Sequence, residues 1–467
     1  MSDRKYPVKR GKEYEFKIEK LAFGGFGVSR IDNYVVFIKN AIPGDVVSAK
    51  ITKRKSSFAE ARLLSVIKPA EIRIEPECPY FTFCGGCTWQ NMSYENQLLY
   101  KRAIVQESIT RLAGIEYCDV SEVAASDKAL GYRNKMEFSF SDNRWLLPEE
   151  LGNMEISKDF ALGLHVPGTF DKILHIENCL LQSETANKIL SYISGYVRTN
   201  GLQPYGIRSH DGFLRFLMLR ESSYNGKIMV NIITAYEDTE KLKPLAEELM
   251  KQFPQIAGVV NNINSKLAQI AVGEYEILLA GEPFIQEKLA GMYFNISANS
   301  FFQTNTFQAE KLYEFALNFA DLKGNEIVWD LYSGTGTIGL ILAKKAKKVL
   351  GFEVVESAVE DAFKNAKEHG VENIEFIAGD LLHKLRDAQP KPDVLITDPP
   401  RSGMHEKVTR YIAEMKPKNI VYVSCNPTTL ARDLKILSSE YIIEKIQPVD
   451  MFPQTYHIET VVKLNLK

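Results

Sequence analysis

"DLYSGTGTIGL", residues 330–340, ends the apolar run 326–332 and leads into a helical stretch over 337–346. A strand, a tight glycine turn and a helix make the first unit of a doubly wound sheet. Gly334 and Gly336 there let the backbone come close to a ligand. The pattern repeats downstream. "KVLGFEVV" (348–355), "IEFIAGD" (374–380), "DVLITDPP" (393–400) and "NIVYVSCNP" (419–427) read as strands, separated by helical segments such as "ESAVEDAFKNAKEHG" (356–370). Strands alternating with helices predict a parallel, Rossmann-like α/β sheet. Ligands of such sheets sit beyond the carboxyl ends of the strands. The residues at those ends are Asp330, Glu353, Asp380, Asp398 and Cys425.

Their chemistry is informative. A phosphate cradle disfavours a carboxylate such as Asp330 beside it, so the glycine turn points to an adenosyl methyl donor. Glu353, about twenty residues on, suits ribose hydroxyls. In "TDPPRSGM" (397–404) two prolines stiffen a strand tip. Arg401 stands where amino-methyltransferases carry an aromatic residue, which argues against an exocyclic amine as the acceptor. In "SCNP" (424–427) a cysteine closes an apolar strand. A thiolate adds readily to an electrophilic carbon. Carbon 5 of uracil is too weak a nucleophile to take a methyl group unaided. Adding a thiolate to carbon 6 makes an enolate that can, and a base must then remove the proton on carbon 5. "YHIETVVKL" (456–464) offers His457 and Glu459 near the start of a final strand, on one face by their period-2 spacing.

The front of the chain differs. Residues 7–68 show short alternating runs with turn signals at Asp32-Asn33 and Pro43-Gly44-Asp45, the pattern of a small OB-like β-barrel. Residues 1–70 hold 15 lysines and arginines against 7 acidic residues, a surplus of eight. The net charge of the whole chain is −2, which leaves the remainder at −10. A basic module ahead of an acidic body suggests a polyanionic partner. Lys53, Arg54 and Lys55 are candidates for phosphate contact. Phe23, Phe26 and Tyr34 are candidates for base stacking, although each taken singly reads as barrel core. Next comes the cysteine loop "ECPYFTFCGGCTWQ", then a helix whose apolar positions are Leu98, Ala103, Val105, Ile109 and Leu112, with Gly114 after its end. Residues 126–290 mix strands and helices and read as an α+β domain. The expected domains are 1–70, 71–125, 126–290 and 291–467. No run approaches the roughly 20 apolar residues of a membrane span, and "MSDRKYPVKRGKEYEF" has no apolar signal core, so a cytoplasmic location is expected. Six cysteines in 467 residues point to metal or catalysis rather than a disulfide framework. Cys78, Cys84, Cys87 and Cys179 could hold zinc or an iron–sulfur cluster, and spacing alone favours neither. Cys118 reads as a small buried hydrophobe.

Taken in series, "CPYFTFCGGCTWQ", "FFQTN", "DLYSGTGT", "DPPR", "SCNP" and "HIET" resemble the RNA uracil-5-methyltransferases, which make 5-methyluridine with S-adenosylmethionine. The resemblance covers essentially the whole chain, and the barrel is similar to the TRAM domain of the 23S ribosomal RNA branch. It implies Cys425 as nucleophile and Glu459 as base. It implies Gln303, Tyr332, Thr337, Glu353, Asp380 and Asp398 as the S-adenosylmethionine site. It implies Cys78, Cys84, Cys87 and Cys179 as ligands of a 4Fe-4S cluster. The implied partner is RNA, ribosomal or alternatively transfer RNA, met by a monomer. The rival of another class is a non-catalytic RNA-binding protein with a redox-sensing cluster.

Overall fold

The computed structural model describes residues 6–116 and 118–467. The first five residues of the N-terminal stretch, and Tyr117, lie outside it. Two compact units divide the chain: 1–76, 89–127 and 308–467 form one, 77–88 and 128–307 the other. The expected segment 71–125 is thus shared between them. "FFQTN" stays with the central unit, because the Asn134 side chain donates to the Gln303 carbonyl (2.9 Å) and the Thr306 hydroxyl (2.8 Å).

In the first unit the N-terminal six-stranded sheet runs in the order Glu13–Lys17, Val46–Arg54, Phe58–Lys68, Tyr34–Lys39, Phe26–Ile31, Lys20–Ala22. Its alternation closes around Phe16, Ile18, Val36, Ile38, Val47 and Ile51. Tyr34 belongs to this core and donates its hydroxyl to the Lys55 carbonyl at 2.7 Å. Phe23 and Phe26 are only half-buried. The basic turn is on the surface: Lys53 pairs with Glu60 at 2.7 Å, and the Arg54 guanidinium lies 4.4 Å over the Tyr6 ring.

The C-terminal part of this unit supplies β1 (Ile327–Leu331), β2 (Lys348–Glu353), β3 (Ile374–Ala378), β4 (Val394–Thr397), β5 (Asn419–Ser424), β6 (Tyr441–Val449) and β7 (Glu459–Leu466). Their order in the sheet is β3-β2-β1-β4-β5-β7-β6. Strands β1 to β5 are parallel, and β7 inserts antiparallel between β5 and β6. Helices cover the sheet, so its central strands are buried nearly throughout, which is why they read as continuous apolar runs rather than alternations. Strand order reverses between β1 and β4, the place where such sheets take ligands.

The helix Tyr94–Ser108 keeps its expected face in part, at Val105 and at Ile109 just beyond its end. It buries Gln97, Lys101, Ile104, Val105 and Ser108, while Ala103 and Leu112 are exposed. Polar side chains are inward because they bond to the chain ahead of β7: Lys101 Nζ to Asp450 at 2.6 Å and to the Phe452 carbonyl at 3.0 Å, Gln97 to Gln454 at 2.9 Å. Apolar periodicity cannot see such a contact.

The second unit is α+β. Its eight-stranded sheet includes Leu214–Glu221, Ile228–Thr234 and Ile256–Ile263 at its centre. Helices Glu184–Thr199 and Thr239–Gln252 pack on it through Ile189, Leu190, Ile193, Leu242 and Leu245. Among the described residues no helix is long and apolar enough to cross a membrane.

Candidate active site

The turn after β1 has a left-handed backbone at Tyr332 (φ 62°), Gly334 (φ 53°) and Gly336 (φ 81°). A Cβ on Gly336 would stand 2.7 Å from the Phe376 ring, so glycine is required there for space as well as conformation. Glu353 at the end of β2 accepts from the backbone N–H of Gly334 (3.0 Å), Val354 (2.8 Å) and Val355 (2.9 Å). It therefore fastens the tips of β1 and β2 together. Asp380 caps the helix Leu381–Asp387, accepting from Leu382 N–H at 2.7 Å. Thr337 is the first residue of the helix that follows the glycine turn. Burial pushes the Tyr332 hydroxyl up to about 12, and the charges of Asp433, Asp380 and Glu353 act in the same direction. Gln303 lies half-buried in the other unit.

Asp330 is buried, and no hydrogen bond of normal length reaches either of its carboxylate oxygens. Burial, with Asp398 and Glu353 adding like charge, pushes it up to about 8, against a small opposing pull from the Gly339 backbone. Burial alone raises Asp398 to about 6. A buried carboxyl rim of this kind, held toward its neutral form, would regain charge beside a cationic sulfonium ligand, which would offset what burial and mutual repulsion cost. The importance of Asp330 to this rim was visible in sequence only as a strand-end carboxylate.

Cys425 follows the last residue of β5. The register of β5 on β7 pairs Ser424 with Thr460, so the next residues outward are Cys425 and Glu459. Burial pushes the Cys425 thiol up to about 11, with the charges of Glu459 and Asp398 adding and Arg401 opposing. Burial likewise raises Glu459 to about 8, with Asp398 adding and Arg401 opposing. The thiol after β5 and the carboxyl that opens β7 thus both feel a carboxyl and a cation from the turn after β4. Arg401 is the member that sequence reasoning missed. It was noted only as the residue in place of an aromatic.

The "SCNP" frame now has a physical account. Asn426 caps the helix Pro427–Leu437, accepting from Thr428 N–H at 3.0 Å, and Pro427 occupies the first turn, where its missing N–H costs nothing. The Asn426 side-chain amide donates to the Arg401 carbonyl at 3.0 Å, tying this turn to the "DPPR" turn. Ser424 Oγ accepts from Asn426 N–H at 3.2 Å and closes the turn under the cysteine. His457 precedes β7 rather than lying in it. Its ring packs 4.1 Å from Tyr456 and 5.9 Å from Phe452.

In the second unit Cys78, Cys84, Cys87 and Cys179 come near one another. Burial pushes Cys84 up to about 12, and charge on Cys179, Cys87 or Cys78 adds to the shift. Gly86 N–H donates to Cys84 Sγ at 3.3 Å. Even so, among the described residues no three or more His, Cys, Asp or Glu side chains are arranged to hold a metal ion. Cys118 is half-buried against the core of the other unit and accepts from Gln106 Nε2 at 3.4 Å.

Comparison with known proteins gives the family. The family model described as tRNA (Uracil-5-)-methyltransferase matches residues 222–467, and the TRAM domain model matches residues 7–64. A Chlorobaculum tepidum protein named as an uncharacterized RNA methyltransferase is 45% identical, over 90% of this chain and 89% of its own. One of the same name from Porphyromonas gingivalis is 41% identical, over 96% and 99%. The crystal structure of Pyrococcus abyssi tRNA (uracil-54, C5)-methyltransferase with S-adenosyl-L-homocysteine superposes with a TM-score of 0.76 at 28% identity, covering 97% of this chain and all of that one. A barrel for RNA, a glycine turn for an adenosyl methyl donor and a cysteine beside a carboxyl all serve one reaction class, and the chain belongs to the S-adenosylmethionine-dependent RNA uracil-5-methyltransferase family.

Proposed function

We propose that the protein methylates carbon 5 of a specific uridine in 23S ribosomal RNA through a transient bond between Cys425 and carbon 6 of the ring. The observation that carries the mechanism is the adjacency of Cys425 and Glu459 at the ends of neighbouring strands. The Cys425 sulfur adds to carbon 6, and the electrons of the 5,6 double bond move onto the ring as an enolate. S-adenosylmethionine, when bound, supplies an electrophilic methyl carbon to carbon 5. Glu459 then takes the carbon-5 proton, the 5,6 double bond re-forms, and the Cys425 sulfur leaves. Burial holds Cys425 toward the thiol, which must give up its proton before it attacks; Arg401 and the N-terminal end of the helix Pro427–Leu437 act in the direction of the thiolate. A uridine must leave its stack to reach a strand tip, at a cost of a few kcal/mol that is least in loops.

Replacing Glu459 tests the scheme. Glu459→Gln should stall after methyl transfer and accumulate a covalent protein–RNA species, seen as a slow band on a denaturing gel. Normal turnover by that variant would remove Glu459 from the role of base. We assign Tyr332, Thr337, Glu353, Asp380 and Asp398, all of the first unit, to the methyl donor. Loss of S-adenosylhomocysteine affinity in Glu353→Gln and Asp398→Asn checks two of these.

The ribosomal assignment rests on the barrel together with the four-cysteine set. A second reading, transfer RNA, is favoured by the likeness to the Pyrococcus abyssi enzyme along the whole chain. Mapping 5-methyluridine in both RNAs from a strain lacking this protein separates them. We further propose that Cys78, Cys84, Cys87 and Cys179 hold a 4Fe-4S cluster, supported by the gathering of the four thiols on one loop and one neighbouring segment. Iron and sulfide content after anaerobic purification tests this. The protein is proposed to act as a cytoplasmic monomer, which light scattering of the purified chain checks for the oligomeric state.

A further inference from the structure

A cavity of about 450 Å³ lies within the first unit, walled by the barrel, by the end of the helix Tyr94–Ser108 and by Thr428. Ligand sites run to roughly 300–1,000 Å³. Three features bear on what fills it. The wall is apolar and partly aromatic. Phe37 is held edge-on by Phe26 (6.2 Å) and Phe58 (5.6 Å), and Phe23 by Tyr456 (5.4 Å), so neighbouring rings fix both orientations. The rim is cationic, with Lys20, Arg30 and Arg111 among the lining residues. Lys20 and Arg111 share Glu107, and Arg30 pairs with Glu19, which leaves a surplus of one positive charge. Such partly exposed pairs are worth little, so a phosphate can displace the carboxylates at small cost. Lastly, one wall residue, Thr428, lies in the first turn of the helix Pro427–Leu437, three positions after Cys425 in the chain.

We propose that this cavity is a nucleotide subsite: it takes the base of one single-stranded RNA residue flanking the target uridine, stacked against Phe37, with the adjoining phosphates on Arg30 and Arg111. Apolar walls under a basic rim suit a base with its phosphate, since every base offers a π-face and every phosphate a charge. Holding a flanking base here offsets part of the unstacking that flipping the target requires. The proposal rests on RNA being the substrate and is independent of which RNA it is.

The experiment uses the full-length enzyme and a synthetic stem–loop around the uridine that the wild type methylates. Flanking nucleotides are replaced one at a time by abasic residues, and kcat/KM is measured for wild type and Phe37→Ala. At one position within a few nucleotides of the target, loss of the base should lower wild-type kcat/KM by roughly 5- to 150-fold. Phe37→Ala should cost a similar factor on intact RNA and almost nothing further on that abasic RNA. Leu112→Glu, on an exposed wall residue, should show the same non-additivity should Phe37→Ala fold poorly. Losses that simply multiply, or the absence of any sensitive flanking position, would overturn the proposal. Because the RNA is chosen as one the wild type already methylates, failure here bears on the cavity alone.

Discussion

Cys425 and Glu459 stand one step beyond the Ser424–Thr460 pair, at the open ends of two antiparallel strands in an otherwise parallel sheet. Only the insertion of β7 between β5 and β6 creates this adjacency. A parallel strand in its place would end at the same edge as β5, but its first residue would lie at the opposite edge.

Removing the sulfur tests the relationship from one side. Cys425→Ala should lower methyl transfer by about a thousandfold or more, as expected when a covalent nucleophile is lost. RNA affinity should be kept and no adduct should form. Unchanged methylation would support the non-catalytic alternative instead.

The pH dependence follows from Glu459. Its carboxyl is raised to about 8, and a base must be unprotonated, so kcat/KM should climb steeply as pH rises toward 8 and less steeply above it, where only the Cys425 thiol, raised to about 11, has still to lose its proton. Arg401 opposes the rise at both Glu459 and Cys425. Arg401→Met should therefore move the midpoint to higher pH and lower the rate at pH 7. A profile that does not shift would show that Arg401 acts only through the fold.

The glycine turn makes a steric prediction. Gly336→Ala adds a Cβ 2.7 Å from Phe376 at a φ of 81°, so both space and backbone oppose it. The variant should lose about 2–4 kcal/mol of stability by overpacking and backbone strain. Affinity for S-adenosylhomocysteine should fall with it. Chemical denaturation and equilibrium binding measure the two effects separately.

Lys101 and Asp450 form a fully buried ion pair that anchors the chain leading to β7. Lys101→Met leaves the Asp450 carboxylate uncompensated and should cost about 3–5 kcal/mol. The double variant Lys101→Met/Asp450→Leu should be markedly more stable than the single one, because no buried charge remains. Thermal unfolding of the three proteins checks the ordering.

Much of this site was legible because the chemistry lies at strand ends. Hydrophobic runs in β1, β2, β4 and β5 each stop on a polar residue, and a parallel sheet puts all those stops on one edge. The barrel was legible from its alternation, but not the parallel pairing of Tyr34–Lys39 with Phe58–Lys68, which joins strands distant in the chain. The face of the helix Tyr94–Ser108 was read only in part: Val105 and Ile109 are buried as expected, but Gln97 and Lys101 also turn inward, to partners some 350 positions away in sequence. Glu353 read as a ribose ligand, yet it also staples two strand tips by accepting three backbone N–H groups, which no residue pattern announces.

By itself the sequence determined the strand–turn–helix rhythm, the basic barrel, the cysteine at a strand end and the carboxylate that opens the last strand, since these follow from local periodicity and residue chemistry. Only the tertiary structure decided that this last strand runs antiparallel beside β5, that Arg401 acts on both Cys425 and Glu459, and that Lys101 holds the approach to Glu459. Strand order and long-range polar pairing are set by which partners offset burial in three dimensions, and periodicity along a chain carries no record of them.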